Sequence, residues 1–164
     1  MHVYGIEEHL AKTWLMLVGV QLSFVAQIIT PADLQAQHYF VVTLHPTPKG
    51  SLAGVGLAIA EDDARNLASH MFDLAITELG AADVADACGE LSNIFAGGVP
   101  GHVDSDLVLD LGLPARLTAE QFLSVLAAST VSGSYITQQR EHHIQVIIFE
   151  SLQLPPATGW SAAP

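Results

Sequence analysis

The stretch DACGELSNIFAGG, residues 86–98, is the most informative segment of the chain and carries its most distinctive chemistry. At about 100° per residue, a helix gathers its polar and smallest side chains within an arc of roughly 60°: Asp86, Glu90, Asn93 and Gly97. The opposite face is apolar: Val84, Cys88, Leu91 and Phe95. The spacing therefore predicts a helix over about 82–96 that is anchored in a core by one face. Its other face presents two carboxylates, an amide and a glycine that would let another surface approach.

The segments around this helix indicate an α+β fold. Apolar residues at helical spacing predict helices over 6–19 and from Glu61 to a stop at Gly80. Alternating or β-branched residues predict strands over 20–28, a hairpin of 39–44 with 51–60, a short strand through Leu107, Leu109 and Leu111, and a closing hairpin of 130–138 with 142–152. Residues 120–128 are ambiguous between helix and strand. This order predicts a largely antiparallel sheet with helices packed on one side, two of them consecutive.

Composition limits the classes of partner. The 164 residues suffice for one domain, which we place at 1–152, with a C-terminal tail at 153–164 that has little to bury. The 17 acidic residues outnumber the 5 Lys and Arg, so the formal net charge is −12. Nucleic acids and anionic membrane surfaces require basic patches and are excluded as partners.

Charge, cysteine content and hydropathy indicate a soluble cytoplasmic protein. A single cysteine, Cys88, allows no internal disulfide. No apolar run reaches the roughly 18 residues of a membrane span, and the first residues are acidic rather than basic as in a signal peptide. Half of the chain is hydrophobic and only 13% is charged, so we expect an apolar interface between subunits.

Other catalytic or metal-binding patterns are weaker. The eight histidines show no recognised ligand spacing, and the adjacent pair His142 and His143 would point to opposite faces of a strand. Cys88 lies on the apolar face of the 82–96 helix, which is typical of a buried, inert thiol. No serine lies in a nucleophile elbow, and the glycines of 50–56 belong to a hairpin rather than a phosphate loop. We expect neither a metal nor a cofactor of the protein's own.

The motif resembles the signature of the CheC/CheX/FliY family of chemotaxis phosphatases. The matching residues are Glu90, Asn93 three positions later, and Asp86 four positions before Glu90. Pro114 follows Asn93 by twenty-one positions, where the family carries a proline at a similar distance. No second glutamate is followed by an asparagine at this spacing, so the single pair is most similar to the CheX type. The resemblance implies a CheC-like fold, with the motif on the paired central helices, and a dimer that forms through the sheets.

The resemblance also implies a function. The family hydrolyses the aspartyl phosphate of a partner receiver domain such as CheY, and the receiver supplies Mg²⁺ and a lysine. By this resemblance Asn93 would orient the attacking water and Glu90 would pair with the receiver's lysine. Asp86 would support Glu90, and Gly97 would allow close approach. The alternative is a non-catalytic, CheX-like dimeric module that binds a receiver or another signalling protein. The sequence does not choose the receiver, the upstream signal or the pathway.

Overall fold

A computed structural model of the chain describes residues 1–48, 50–104, 106 and 108–156. Within them the helices are α1 (Ile6–Val18), α2 (Glu61–Phe72), α3 (Ala81–Gly98) and α4 (Ala119–Ala128). The strands are β1 (Phe24–Ala26), β2 (His38–Thr47), β3 (Ala53–Ile59), β4 (Val108–Leu117), β5 (Thr130–Thr137) and β6 (Ile144–Ser151). Short 3-10 turns are formed by Pro31–Asp33, Ile76–Glu78 and Val99–His102.

The strands form one six-stranded sheet in the order β1-β5-β6-β3-β2-β4, and every pairing is antiparallel. The predicted α+β class, the antiparallel sheet and both predicted hairpins are confirmed. The two central strands, β3 and β6, are buried along nearly their whole length. Strands β1 and β4 are the two edges, and β4 is longer than the predicted short strand. Leu107, part of that prediction, lies outside the described residues.

Helices cover both faces of the sheet. The main core joins α1, α2 and α3 to one face, through buried residues such as Trp14, Leu67 and Phe95. The predicted placement of all helices on one side is wrong for α4, whose Phe122 and Val125 are buried against the opposite face. A Cβ atom on Gly56 of β3 would lie 3.1 Å from the Phe122 ring, so the bare backbone of this glycine makes room for α4.

The two central helices are consecutive, as predicted, but their junction is not at Gly80. Helix α2 ends at Phe72, where Asp73 takes a left-handed conformation with φ of 53° and its backbone N–H donates to the Ser69 carbonyl. A short aspartate tolerates this conformation better than most side chains, so no glycine marks the stop. Gly80 instead precedes α3, and its backbone N–H donates to Asp83 Oδ2 at 2.8 Å.

Two further segments differ from the sequence pattern. The predicted strand over 20–28 is reduced to Phe24–Ala26, because only these residues pair along β5. The segment 120–128, ambiguous by periodicity, is helical, and Thr118 Oγ1 caps α4 by accepting from the Gln121 N–H at 3.1 Å. Of the predicted tail, residues 157–164 lie outside the described residues, and the boundary at 152 stays a prediction. No helix in the described part of the chain is long and apolar enough to cross a membrane.

Candidate functional site

Helix α3 carries the whole motif and is fixed in the core by its apolar face. Val84, Cys88, Leu91 and Phe95 are at most 2% exposed, as the periodicity predicts. Ser92 is buried as well, and its hydroxyl donates back to the Cys88 carbonyl at 2.8 Å. The helix therefore has little freedom to rotate, and the direction of its polar face is determined by the core.

The polar face of α3 forms one wall of a groove of about 310 Å³. Asp86 and Glu90 are exposed and Asn93 is half-buried, and all three line the groove. Leu113 and Pro114 of β4 form the facing wall. The structure thus brings together Asp86, Glu90 and Asn93 with the proline twenty-one positions further along the chain. Gly97 is exposed one turn beyond, where an added Cβ would lie 3.9 Å from Leu111, and it is not part of the groove wall.

A β-bulge in β4 places Pro114 against α3. Val42 of β2 pairs with Pro114 and Leu44 pairs with Leu111, so Gly112 and Leu113 together face the single residue between them. When two residues of one strand lie opposite a single residue of its partner, the alternation of side chains is reversed beyond that point. Pro114 consequently lies beside α3, with its Cγ 3.8 Å from where a Cβ on Gly89 would be. Because β4 is an edge strand, a proline can be accommodated there.

The α3 wall of the groove is acidic. Among the described residues, the side chains of Asp86, Glu90 and Asn93 form no hydrogen bond or ion pair within the protein. Two carboxylates one helical turn apart repel each other, and a cation from a partner would relieve that repulsion. The amide of Asn93 retains both its donor and its acceptor groups for a ligand.

Cys88 does not contribute a nucleophile to the groove. It is fully buried beneath the motif, and burial raises the pKa of its thiol to about 12. At neutral pH such a thiol carries almost no thiolate, the form that attacks electrophiles.

Two polar contacts elsewhere pair acidic residues of α2 with histidines. The buried carboxylate of Asp63 accepts from His142 Nδ1 at 2.6 Å and from the His143 backbone N–H at 2.8 Å. His38 Nε2 lies 2.5 Å from Glu61 Oε2. These contacts join α2 to the sheet across long sequence distances. Within the part of the chain that the structure describes, no group of three or more His, Cys, Asp or Glu could hold a metal ion.

Leu113 lines the groove and is missing from the predicted site. Strict alternation along β4 would place Leu113 and Leu111 on the same face as the buried Leu109, and the bulge interrupts that alternation. A single additional residue in a strand leaves no clear signal in the sequence, although Gly112 is a residue type common at bulges.

The architecture is that of the CheC, CheX and FliY structures, which confirms the resemblance predicted from the motif. The CheX–CheY–BeF3–Mg²⁺ complex from Borrelia burgdorferi matches with a TM-score of 0.63 at 14% identity, over 88% of this chain and 94% of that one. A CheC-like chemotactic protein from Shewanella oneidensis matches at 0.64 and 11% identity, over 88% and 94%. FliY from Thermotoga maritima matches at 0.55 and 13% identity, over 88% and 84%. At these identities the likeness is one of fold. Neither a protein-family model nor a curated protein matches the sequence.

Proposed function

We propose that this chain is a CheX-like phosphatase of chemotaxis-type signalling that accelerates hydrolysis of the aspartyl phosphate on a CheY-type receiver domain. The observation that carries the proposal is the groove in which Glu90, Asn93 and Pro114 meet. These residues are separated in sequence by the spacing of the family motif, and the fold brings them to one place. The CheX–CheY complex with the same fold supports a receiver as the partner. Such a partner implies a cytoplasmic location.

The proposed chemistry requires little more than positioning. In hydrolysis a water attacks phosphorus as the bond to the aspartyl oxygen breaks, which leaves a free carboxylate and inorganic phosphate. Charge on the transferring group is neutralised by the receiver's Mg²⁺ and lysine, so the phosphatase needs no metal of its own. What remains is to hold the water in line, and an oriented group of this kind contributes about 10²-fold or more.

Asn93 has the properties that this task needs. Its amide accepts a hydrogen bond from the water and donates one to a neighbouring oxygen without changing its charge. It is half-buried on a helix that the core holds rigidly. A side chain on a fixed helix positions a water more accurately than one on a loop.

Glu90 lies one turn from Asn93 and is proposed to pair with the receiver's lysine. Its carboxylate is exposed and has no internal partner among the described residues, so docking would not break an existing ion pair. Such a contact sets the register of the complex as well as adding affinity. Asp86 is proposed to reinforce the negative potential around Glu90, and Gly97 to leave room for the approaching receiver.

A homodimer is the second partner that we propose. A second, apolar groove of about 430 Å³ lies between β1, β5 and α4, and Ala26, Ile28 and Val131 are among its lining residues. Ile28 is 88% exposed there. This edge of the sheet is opposite to β4, so a second copy bound at β1 would leave the motif groove accessible.

The proposal is tested by the decay of a phosphorylated receiver with and without the purified protein, together with an independent measurement of binding. We expect a saturable increase in the decay rate, which Glu90→Ala weakens mainly through binding. Glu120→Ala serves as the matched control, because Glu120 is an exposed glutamate on α4 at the opposite sheet face. Binding without any increase in decay rate would identify a non-catalytic module, and neither effect with any receiver of the source organism would refute the proposal.

A further inference from the structure

Leu113 has a large apolar side chain that is exposed to solvent next to the motif. It is 84% exposed, more than the other leucines of β4, and it lines the same groove as Glu90 and Asn93. Leu111, two positions earlier on the same strand, is 44% exposed. Single exposed leucines are common on protein surfaces, but this one is part of a functional groove.

Leu113 lies in the bulge of the edge strand β4. Gly112 and Leu113 share one opposing residue on β2, so the strict alternation of side chains along β4 is interrupted at these two residues. A Cβ on residue 112 would clash with Thr43 Oγ1, so the glycine at this position makes room for the bulge. Bulges are common next to functional sites, and this one lies in the strand that forms a wall of the groove.

We propose that Leu113 is a docking residue for the phosphorylated receiver, contacting an apolar surface next to the receiver's lysine. The inference rests on the proposed function and adds a residue that contributes to the affinity for the receiver. The groove has an acidic wall, Asp86 and Glu90, and an apolar wall, Leu113 and Pro114. A partner that places a lysine against Glu90 comes next to Leu113, since both residues line one groove of about 310 Å³. A surface with a cation beside apolar side chains complements both walls.

The docking role predicts a specific kinetic effect. Full burial of a leucine side chain contributes enough that its loss corresponds to about tenfold in affinity or more. Leu113→Ala should therefore raise the KM for the phosphorylated receiver by about tenfold and leave kcat within about twofold. Leu113→Met keeps the apolar volume and should restore KM to within about twofold of the original value.

The experiment measures KM, kcat and direct receiver binding for these two variants and for Met16→Ala. Met16 is a matched control because it is 73% exposed on α1 and does not line the groove. An unchanged KM in Leu113→Ala, while the parent protein accelerates decay, overturns the docking role alone. If the parent protein binds receiver without accelerating decay, and Leu113→Ala weakens that binding, the docking role stands and the phosphatase proposal fails. Equal losses in the Leu113→Ala and Met16→Ala variants also overturn the docking role.

Discussion

Replacing Phe122 by alanine should destabilise the protein strongly without touching the motif. Phe122 is fully buried on α4, on the sheet face opposite to α3, and its ring lies over Gly56. Removing a buried phenylalanine side chain costs about 3–5 kcal/mol, from lost burial and the cavity left behind. For a chain of this size each kcal/mol lowers Tm by about 2–4 °C, so we expect a decrease of about 6–20 °C.

A second substitution tests the contact itself. Gly56→Ala places a Cβ 3.1 Å from Cε2 and Cζ of Phe122 and from Cε2 of Phe149. In the parent protein this overpacking should cost about 1–3 kcal/mol. In the Phe122→Ala background two of the three close contacts are gone, so the same change should cost at least about 1 kcal/mol less.

Urea unfolding followed by far-UV circular dichroism measures the four free energies of this double-mutant cycle. Phe72→Ala is the matched control, because Phe72 is 40% exposed at the end of α2, and it should cost less than about 1 kcal/mol. Strictly additive effects of the two substitutions, or a loss below about 1 kcal/mol for Phe122→Ala, would refute the placement of α4 over β3.

Two further predictions concern titrating groups. Burial raises the pKa of Cys88 to about 12, so its thiolate fraction at pH 8 is about 10⁻⁴. A disulfide reagent should therefore label this thiol only after the protein unfolds. Rapid labelling of the native protein would contradict the prediction, because it would show that the thiol is accessible. Burial against Gly98, at the end of α3, lowers the pKa of His9 below its usual value of 6.5. The unfolded chain therefore binds the proton more readily, and stability contributed by neutral His9 is lost as pH falls below about 6.5. The free energy of unfolding, measured between pH 7 and 5, should fall less steeply for His9→Gln than for the parent protein. Equal slopes would contradict a contribution of His9 to the pH dependence.

The parts of the fold that follow from the sequence are those set by local periodicity. The apolar stripe of α3 correctly predicts which of its side chains are buried, and the alternation of β5 and β6 predicts their pairing. The same periodicity predicts that Asp86, Glu90 and Asn93 share one helix face, and they line one groove.

The remaining features depend on contacts between distant segments. The face on which α4 packs is decided by the fit of Phe122 to Gly56, sixty-six positions earlier in the chain. The register that brings Pro114 opposite Val42 depends on a bulge in β4, and a bulge interrupts the alternation from which strands are predicted. The buried pair of Asp63 and His142 likewise joins residues that no local pattern connects.

In the proposed mechanism, Asn93 orients the water that hydrolyses the receiver's aspartyl phosphate. The most direct measurement is the decay rate of a phosphorylated receiver at saturating concentrations of the parent protein, Asn93→Ala and Asn66→Ala. Asn66 is the matched control because it is a half-buried asparagine on the neighbouring helix α2 and does not line the groove. We predict that Asn93→Ala still binds the receiver but loses about 10²-fold or more of the acceleration, whereas Asn66→Ala keeps it. Full acceleration by the folded Asn93→Ala variant would contradict the claim.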